Sequence, residues 1–120
     1  MTALRVAAIQ HEIVWHDRAA NFARLAPMIA GAAAGGAGLV LLTETFSTGF
    51  SFDTPGIGEP EGGPSSAFLS AQAAAHGVWV GGSCPEIAAE SPVEDPRPSN
   101  WVVLAGPTVE VHSDGKIHPL

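Results

Sequence analysis

Leu39-Val40-Leu41-Leu42-Thr43-Glu44 is the stretch that decides the fold. Four aliphatics in a row, without polar alternation, read as a strand buried on both faces. The glycines Gly31, Gly35, Gly36 and Gly38 precede it. They read as the end of a helix and the turn that returns the chain to a sheet. Upstream, Asp17 can cap that helix, and Phe22, Leu25 and Ile29 share one helical face. Pro27 falls inside the same segment and predicts a kink or two shorter pieces. Leu4–Ile9 reads as a first buried strand.

Downstream, residues 51–66 are rich in Gly and Pro and read as loop. Ser65 or Ser66 can cap a second helix through Phe68, Leu69, Gln72 and Ala75, with Gly77 as its stop. Val78–Val80 reads as a third strand ending at Gly81-Gly82. Residues 85–99, with four prolines and four acids, read as a surface loop. Trp101–Leu104 and Val109–Val111 then form a hairpin through residues 105–108. Strand, helix, strand, helix, strand, hairpin is an α/β order.

Composition narrows the function. The chain has 120 residues, enough for one domain. It is 46% hydrophobic and 14% charged, too apolar to be disordered. The net charge is −7, which argues against nucleic acid as a partner. The uncharged run Leu25–Thr43 is mostly Ala and Gly, so it is read as helix, turn and strand and not as a membrane span. The N-terminus lacks the order of a signal peptide, and the one cysteine, Cys84, suits a reducing cytoplasm. The glycine cluster closes a helix, the reverse of a dinucleotide fingerprint, and lacks a P-loop ending. His11, Glu12, His16 and Asp17 have no further ligands at metal-site spacing, so we expect solvated loop histidines, no metal and no cofactor.

Glu44 closes the central strand, and open α/β folds place chemistry at the carboxyl ends of their strands. We expect it against a dry core wall, a setting suited to a general base. An ordinary strand-end acid is the alternative. Lys116, the only lysine, follows the hairpin and reads on composition alone as a solvated side chain.

Together the two residues carry a resemblance. Leu41-Leu42-Thr43-Glu44-Thr45-Phe46-Ser47-Thr48-Gly49-Phe50 resembles the first catalytic motif of the nitrilase, or carbon–nitrogen hydrolase, superfamily. Lys116-Ile117-His118-Pro119 resembles the second. Gln10, Asn21 and Asn100 agree in order, and the Phe-Ser-Thr-Gly-Phe turn is most similar to the omega-amidase branch.

The resemblance implies a four-layer α-β-β-α sandwich, of which this chain supplies the first half as a single truncated domain. It implies hydrolysis of small amides by a Cys-Glu-Lys triad, with Glu44 as base and Lys116 stabilising the oxyanion. The family's cysteine lies beyond the lysine, so the chain by itself is expected to be near inert. Cys84 falls where the family has no nucleophile, and we read it as a plain strand-end thiol, with a surrogate nucleophile as the alternative. Thr43 replaces the family's usual proline, and Gly115 replaces a large residue, which loosens Lys116. A half sandwich leaves a sheet face bare. The expected partners are a small amide and either a second copy or the missing C-terminal half. A non-catalytic dimerising module is the competing reading. Of Phe46, Phe50 and Phe52, at least two are expected in the core.

Overall fold

The computed structural model describes residues 3–87 and 98–115. Nine elements follow in order: β1 (Val6–Ala8), α1 (Arg18–Ala34), β2 (Leu39–Leu41), α2 (Thr54–Ile57), β3 (Glu59–Pro60), α3 (Pro64–His76), β4 (Trp79–Ile87), β5 (Pro98–Ala105) and β6 (Val111–Gly115). They form one mixed sheet in the order β1-β2-β4-β5-β6, with β3 added to β4. β1, β2 and β4 are parallel, and β5 and β6 continue antiparallel. Parallel neighbours need a crossover, and α1 and α3 supply the two crossovers. The α/β expectation therefore holds.

α1 begins where Asp17 accepts the Ala20 N–H at 3.0 Å. It is one element through Pro27, and it carries Gly31 within it. Asn21, Leu25 and Ile29 are its buried residues, while Pro27 lies on the exposed side. The carbonyl that Pro27 leaves without a partner therefore faces water, which is why the chain tolerates it. Gly36, at φ +99°, makes the turn into β2.

α3 corrects the capping expectation. It starts at Pro64 with Gly63 at the cap, and Ser65 and Ser66 are buried inside its first turn. The Ser65 N–H, which a capping side chain would otherwise accept, donates to the Glu59 carboxylate at 2.8 Å. Gly77 stops the helix in the left-handed region, φ +65°, as expected. Phe22 of α1 stacks on Phe68 of α3 with ring centroids 4.4 Å apart, joining the two helices.

β4 is the larger departure. It runs nine residues, through Gly81, Gly82 and Pro85. A Cβ on Gly82 would stand 2.7 Å from the Phe46 ring, so the glycine makes room for a core aromatic. Pro85 falls between the part of β4 paired to β2, which ends at Gly81, and the part paired to β3, which begins at Glu86. There β4 has only β5 beside it, and proline interrupts no second ladder. The supposed loop 85–99 is thus partly strand at both ends, and residues 88–97 lie outside the described residues. The hairpin forms, with longer arms and a wider loop closed by Gly106 N–H to Glu110 O at 2.7 Å.

The helices cover one face of the sheet, against Val40, Val80, Cys84, Val103 and Ala105. The opposite face carries Val6, Leu41, Val102 and Leu104, of which Leu41 is 41% and Val102 59% exposed. Residues alternate between faces along each strand, so one face is core and the other is a bare apolar surface. No helix among the described residues is long and apolar enough to cross a membrane.

Candidate active site

β2 ends at Leu41, and Leu42 N–H still reaches Gly81 O at 2.8 Å. Glu44 then opens a turn over residues 44–48 at the carboxyl end of β2, as expected. It is exposed, however, on the bare side of the sheet and not against a dry wall. Its carboxylate accepts the Asn100 Nδ2–H from β5.

The turn behind Glu44 is buried and held from several sides. Thr45 takes φ +47°, a conformation that costs a residue with a Cβ roughly 1–2 kcal/mol. Its N–H donates to Ser83 Oγ on β4 at 2.8 Å, and its hydroxyl donates to Glu44 O at 2.8 Å. Asn21 of α1 donates to Ser47 O and Val14 O, each at 2.8 Å, and accepts Val14 N–H at 2.7 Å. Every hydrogen bond of this fully buried amide thus serves to tie two loops to one helix.

A buried ionic group completes the frame. Glu59, 2% exposed, accepts Arg18 Nε–H at 2.8 Å, Ser65 N–H at 2.8 Å and the Ser65 hydroxyl at 2.5 Å. Ser65 has one hydroxyl proton and gives it to Glu59, so Ser47 is the donor in the 2.6 Å contact between their oxygens. The chain Arg18, Glu59, Ser65, Ser47 therefore runs from α1 to the turn that carries Glu44.

Asn100, Ser83, Gly115 and Glu44 line one hollow of about 620 Å³ on the bare face. Gly115 ends β6 opposite Trp101, and a Cβ there would meet the Trp101 ring at 3.0 Å. Glycine thus lets the indole lie over the backbone just before Lys116, which itself lies outside the described residues. Glu44 and Asn100 are brought together.

Residues 5–119 match the profile of a family described as carbon–nitrogen hydrolase. The chain belongs to the carbon–nitrogen hydrolase family. A CN-hydrolase superfamily protein from Xanthomonas campestris, with an arsenic adduct in its active site, is 30% identical with a TM-score of 0.84. The match covers 98% of this chain and 42% of that one. An amidase from Nesterenkonia sp. is similar in fold, at 23% identity and a TM-score of 0.74, over 96% of this chain and 43% of its own. A search of curated proteins found no match. The chain spans less than half the length of these solved relatives, and the half-sandwich expectation agrees with that.

Within this carbon–nitrogen hydrolase chain, Cys84 is not the strand-end thiol the sequence suggested. It sits in the middle of β4, fully buried and facing the helices. Burial, then the charges of Glu59 and Glu86, push its thiol far up and keep it protonated. A thiol held neutral and out of reach of solvent cannot attack a carbonyl.

His16 is exposed but not merely solvated. Its Nε2 is 2.7 Å from Ser51 Oγ and its ring stacks on Trp15. No group of metal-ligating side chains occurs among the described residues. Of the three phenylalanines after Glu44, only Phe46 is core. Phe50 and Phe52 are exposed, 47% and 81%, and meet edge to face.

The sequence reading did not single out Glu59, Arg18 or Ser83, and it gave Ser65 a capping role in place of its bond to Glu59. Arg18 and Glu59 are 41 positions apart. An acid in a Gly/Pro-rich stretch carries no periodic signal that would place it in the interior.

Proposed function

We propose that this chain carries the glutamate and lysine of an amide-hydrolysing site. Glu44 is the base, Lys116 the oxyanion-stabilising cation, and small ω-amides of the omega-amidase kind are the substrates. One observation carries the reading. Glu44 is gripped by Asn100 at the edge of the same hollow that Gly115, the residue before Lys116, lines. Asn100 Oδ1 is buried and has no hydrogen-bond partner among the described residues, which leaves an acceptor for a donor arriving beside Glu44.

In this scheme a cysteine in the part of the family fold beyond residue 120 is the nucleophile. Glu44 takes the thiol proton, and the sulfur attacks the amide carbon. The carbonyl oxygen becomes an oxyanion next to the Lys116 ammonium. The intermediate collapses, the C–N bond breaks, and ammonia leaves with the proton from Glu44. Water, deprotonated by Glu44, then hydrolyses the thioester and frees the thiol. A Glu→Gln mutant of the Nesterenkonia amidase shows Michael addition of acrylamide at its active-site cysteine, which supports a thiol in this role.

The test is ammonia release from ω-amides by the whole product of the gene that encodes this chain. Glu44→Gln is expected to lower the rate at least about 100-fold. Retained activity in that variant, or a gene product with no cysteine besides Cys84, overturns the reading.

The exposed face supports a companion proposal about partners, a second copy of the chain or the family's C-terminal half. Light scattering on the 120-residue chain distinguishes them: a stable dimer without amidase activity favours the interaction-module reading. A stable monomer counts against it.

A further inference from the structure

We propose that Ser83 is a positioning residue whose hydroxyl, by accepting the Thr45 N–H, holds the Glu44 carboxylate on Asn100. Its importance for catalysis rests on the amide-hydrolase reading above. Three observations carry it.

First, Thr45 directly follows Glu44 and sits at φ +47°, where a residue with a Cβ does not rest without support. The Thr45 backbone orientation sets where Glu44 leaves the chain. The Ser83 hydroxyl takes the Thr45 N–H at 2.8 Å, so it is bonded to the strained residue itself.

Second, Ser83 and Asn100 lie on adjacent strands. Ser83 pairs with Val102, and Asn100 pairs with Pro85, two residues along β4. Side chains two apart on a strand share a face, so Asn100 and Val102 project to the same side of the sheet. Ser83 and Asn100 both line the hollow beside Glu44. One strand grips the backbone after Glu44, and its neighbour grips the carboxylate.

Third, the core does not require a hydroxyl at this position. Cys84 and Gly82, its neighbours on β4, pack toward the helices, whereas Ser83 points to the bare face. Ser83 is nonetheless only 8% exposed, so its hydroxyl needs a protein partner, and the Thr45 N–H is the one it has.

The experiment is amide hydrogen exchange and a pH series of Asn100 side-chain NMR signals in the 120-residue chain, with Ser83→Ala and Ser83→Thr. In the wild type the Thr45 amide is protected, and the Asn100 Nδ2 protons follow the titration of Glu44. Ser83→Ala is expected to speed Thr45 exchange by about tenfold or more and to uncouple Asn100 from that titration. Val80 and Val103 amides keep wild-type protection, which separates loss of positioning from loss of fold. Ser83→Thr keeps the hydroxyl and is expected to stay within about twofold of wild type on Thr45 exchange. Unchanged Thr45 exchange and an unchanged Asn100 response in Ser83→Ala overturn the inference. Should the alanine variant not fold, loss of either signal in Ser83→Thr does so. Failure of the amide-hydrolase reading shows up separately, as hydrolysis that survives Glu44→Gln.

Discussion

Glu59→Ala is expected to destabilise the chain by about 3 kcal/mol, the low end of the range for removing one partner of a buried ion pair. The low end applies because Arg18 is 26% exposed and water can reach part of the stranded cation. Three donors lose their acceptor at once: Arg18 Nε, Ser65 N and the Ser65 hydroxyl. Arg18 also donates to Ile57 O at 2.6 Å, which keeps it in place beside the vacated carboxylate site. Urea unfolding measures the loss. The double variant Arg18→Leu, Glu59→Leu is expected to recover a good part of it, since an apolar pair leaves no uncompensated charge. A loss below about 1 kcal/mol for Glu59→Ala would mean that the network is replaced by water at little cost.

Neutralising Glu59 by Glu59→Gln carries a pH signature through Glu86. Glu86 is 4% exposed and sits opposite Glu59 in the β3–β4 register. Burial, followed by the charges of Glu59 and Glu61, pushes its carboxyl up from 4.5 to about 7, against the pull of the Gly62 N–H. The folded chain therefore holds this proton more tightly than the unfolded chain does. Stability from Glu86 is fully present below its ordinary value and is lost as pH rises through about 7. Removing the Glu59 charge removes one cause of the shift. The stability lost between about pH 5 and about pH 8 is then expected to be smaller in Glu59→Gln than in wild type.

Phe46→Ala is expected to cost about 3–5 kcal/mol, the usual range for emptying a buried aromatic site. Phe46 is fully buried, its ring rests on Gly82, and it stands 6.5 Å from Phe22 and 6.1 Å from Phe68, tilted against both. Three aromatics from a turn and two helices thus close the core over β4. Phe46 also follows Thr45 directly, so the cavity opens beside the turn that carries Glu44. Phe50→Ala, at a half-exposed position, is the control and is expected to change stability by less than about 0.5 kcal/mol. Equal effects at the two positions would contradict the packing described.

The contrast between these phenylalanines shows what a sequence can reveal. Position after a buried strand identified Glu44 and the turn, because a run of aliphatics announces a strand by local pattern. Which phenylalanine turns inward depends on what lies opposite, and the partner of Phe46 is the absence of a side chain at Gly82. The same glycine, read locally, suggested that β4 ended there. Asp17 and Gly77 were legible because caps act within one turn of their own helix. Ser65 was misread as a cap because its actual partners, Glu59 and Ser47, are set by tertiary folding. Glu59 was invisible for the same reason: its cation comes from another element. Glu44 was legible as an acid at the carboxyl end of a strand, but its exposure was not, since exposure depends on what covers the far face of the sheet.

Under the proposed function, Glu44 and Lys116 are expected to share one pocket. Lys116 is the only lysine in the chain, so carbodiimide coupling of carboxylate to amine, which needs ion-pair contact, reads its neighbour without ambiguity. Peptide mass spectrometry of the coupled chain is predicted to find Lys116 joined to Glu44, and the product is predicted to vanish in Glu44→Gln. Lys116 joined to other carboxylates, with no Glu44 product in the wild type, would contradict the account.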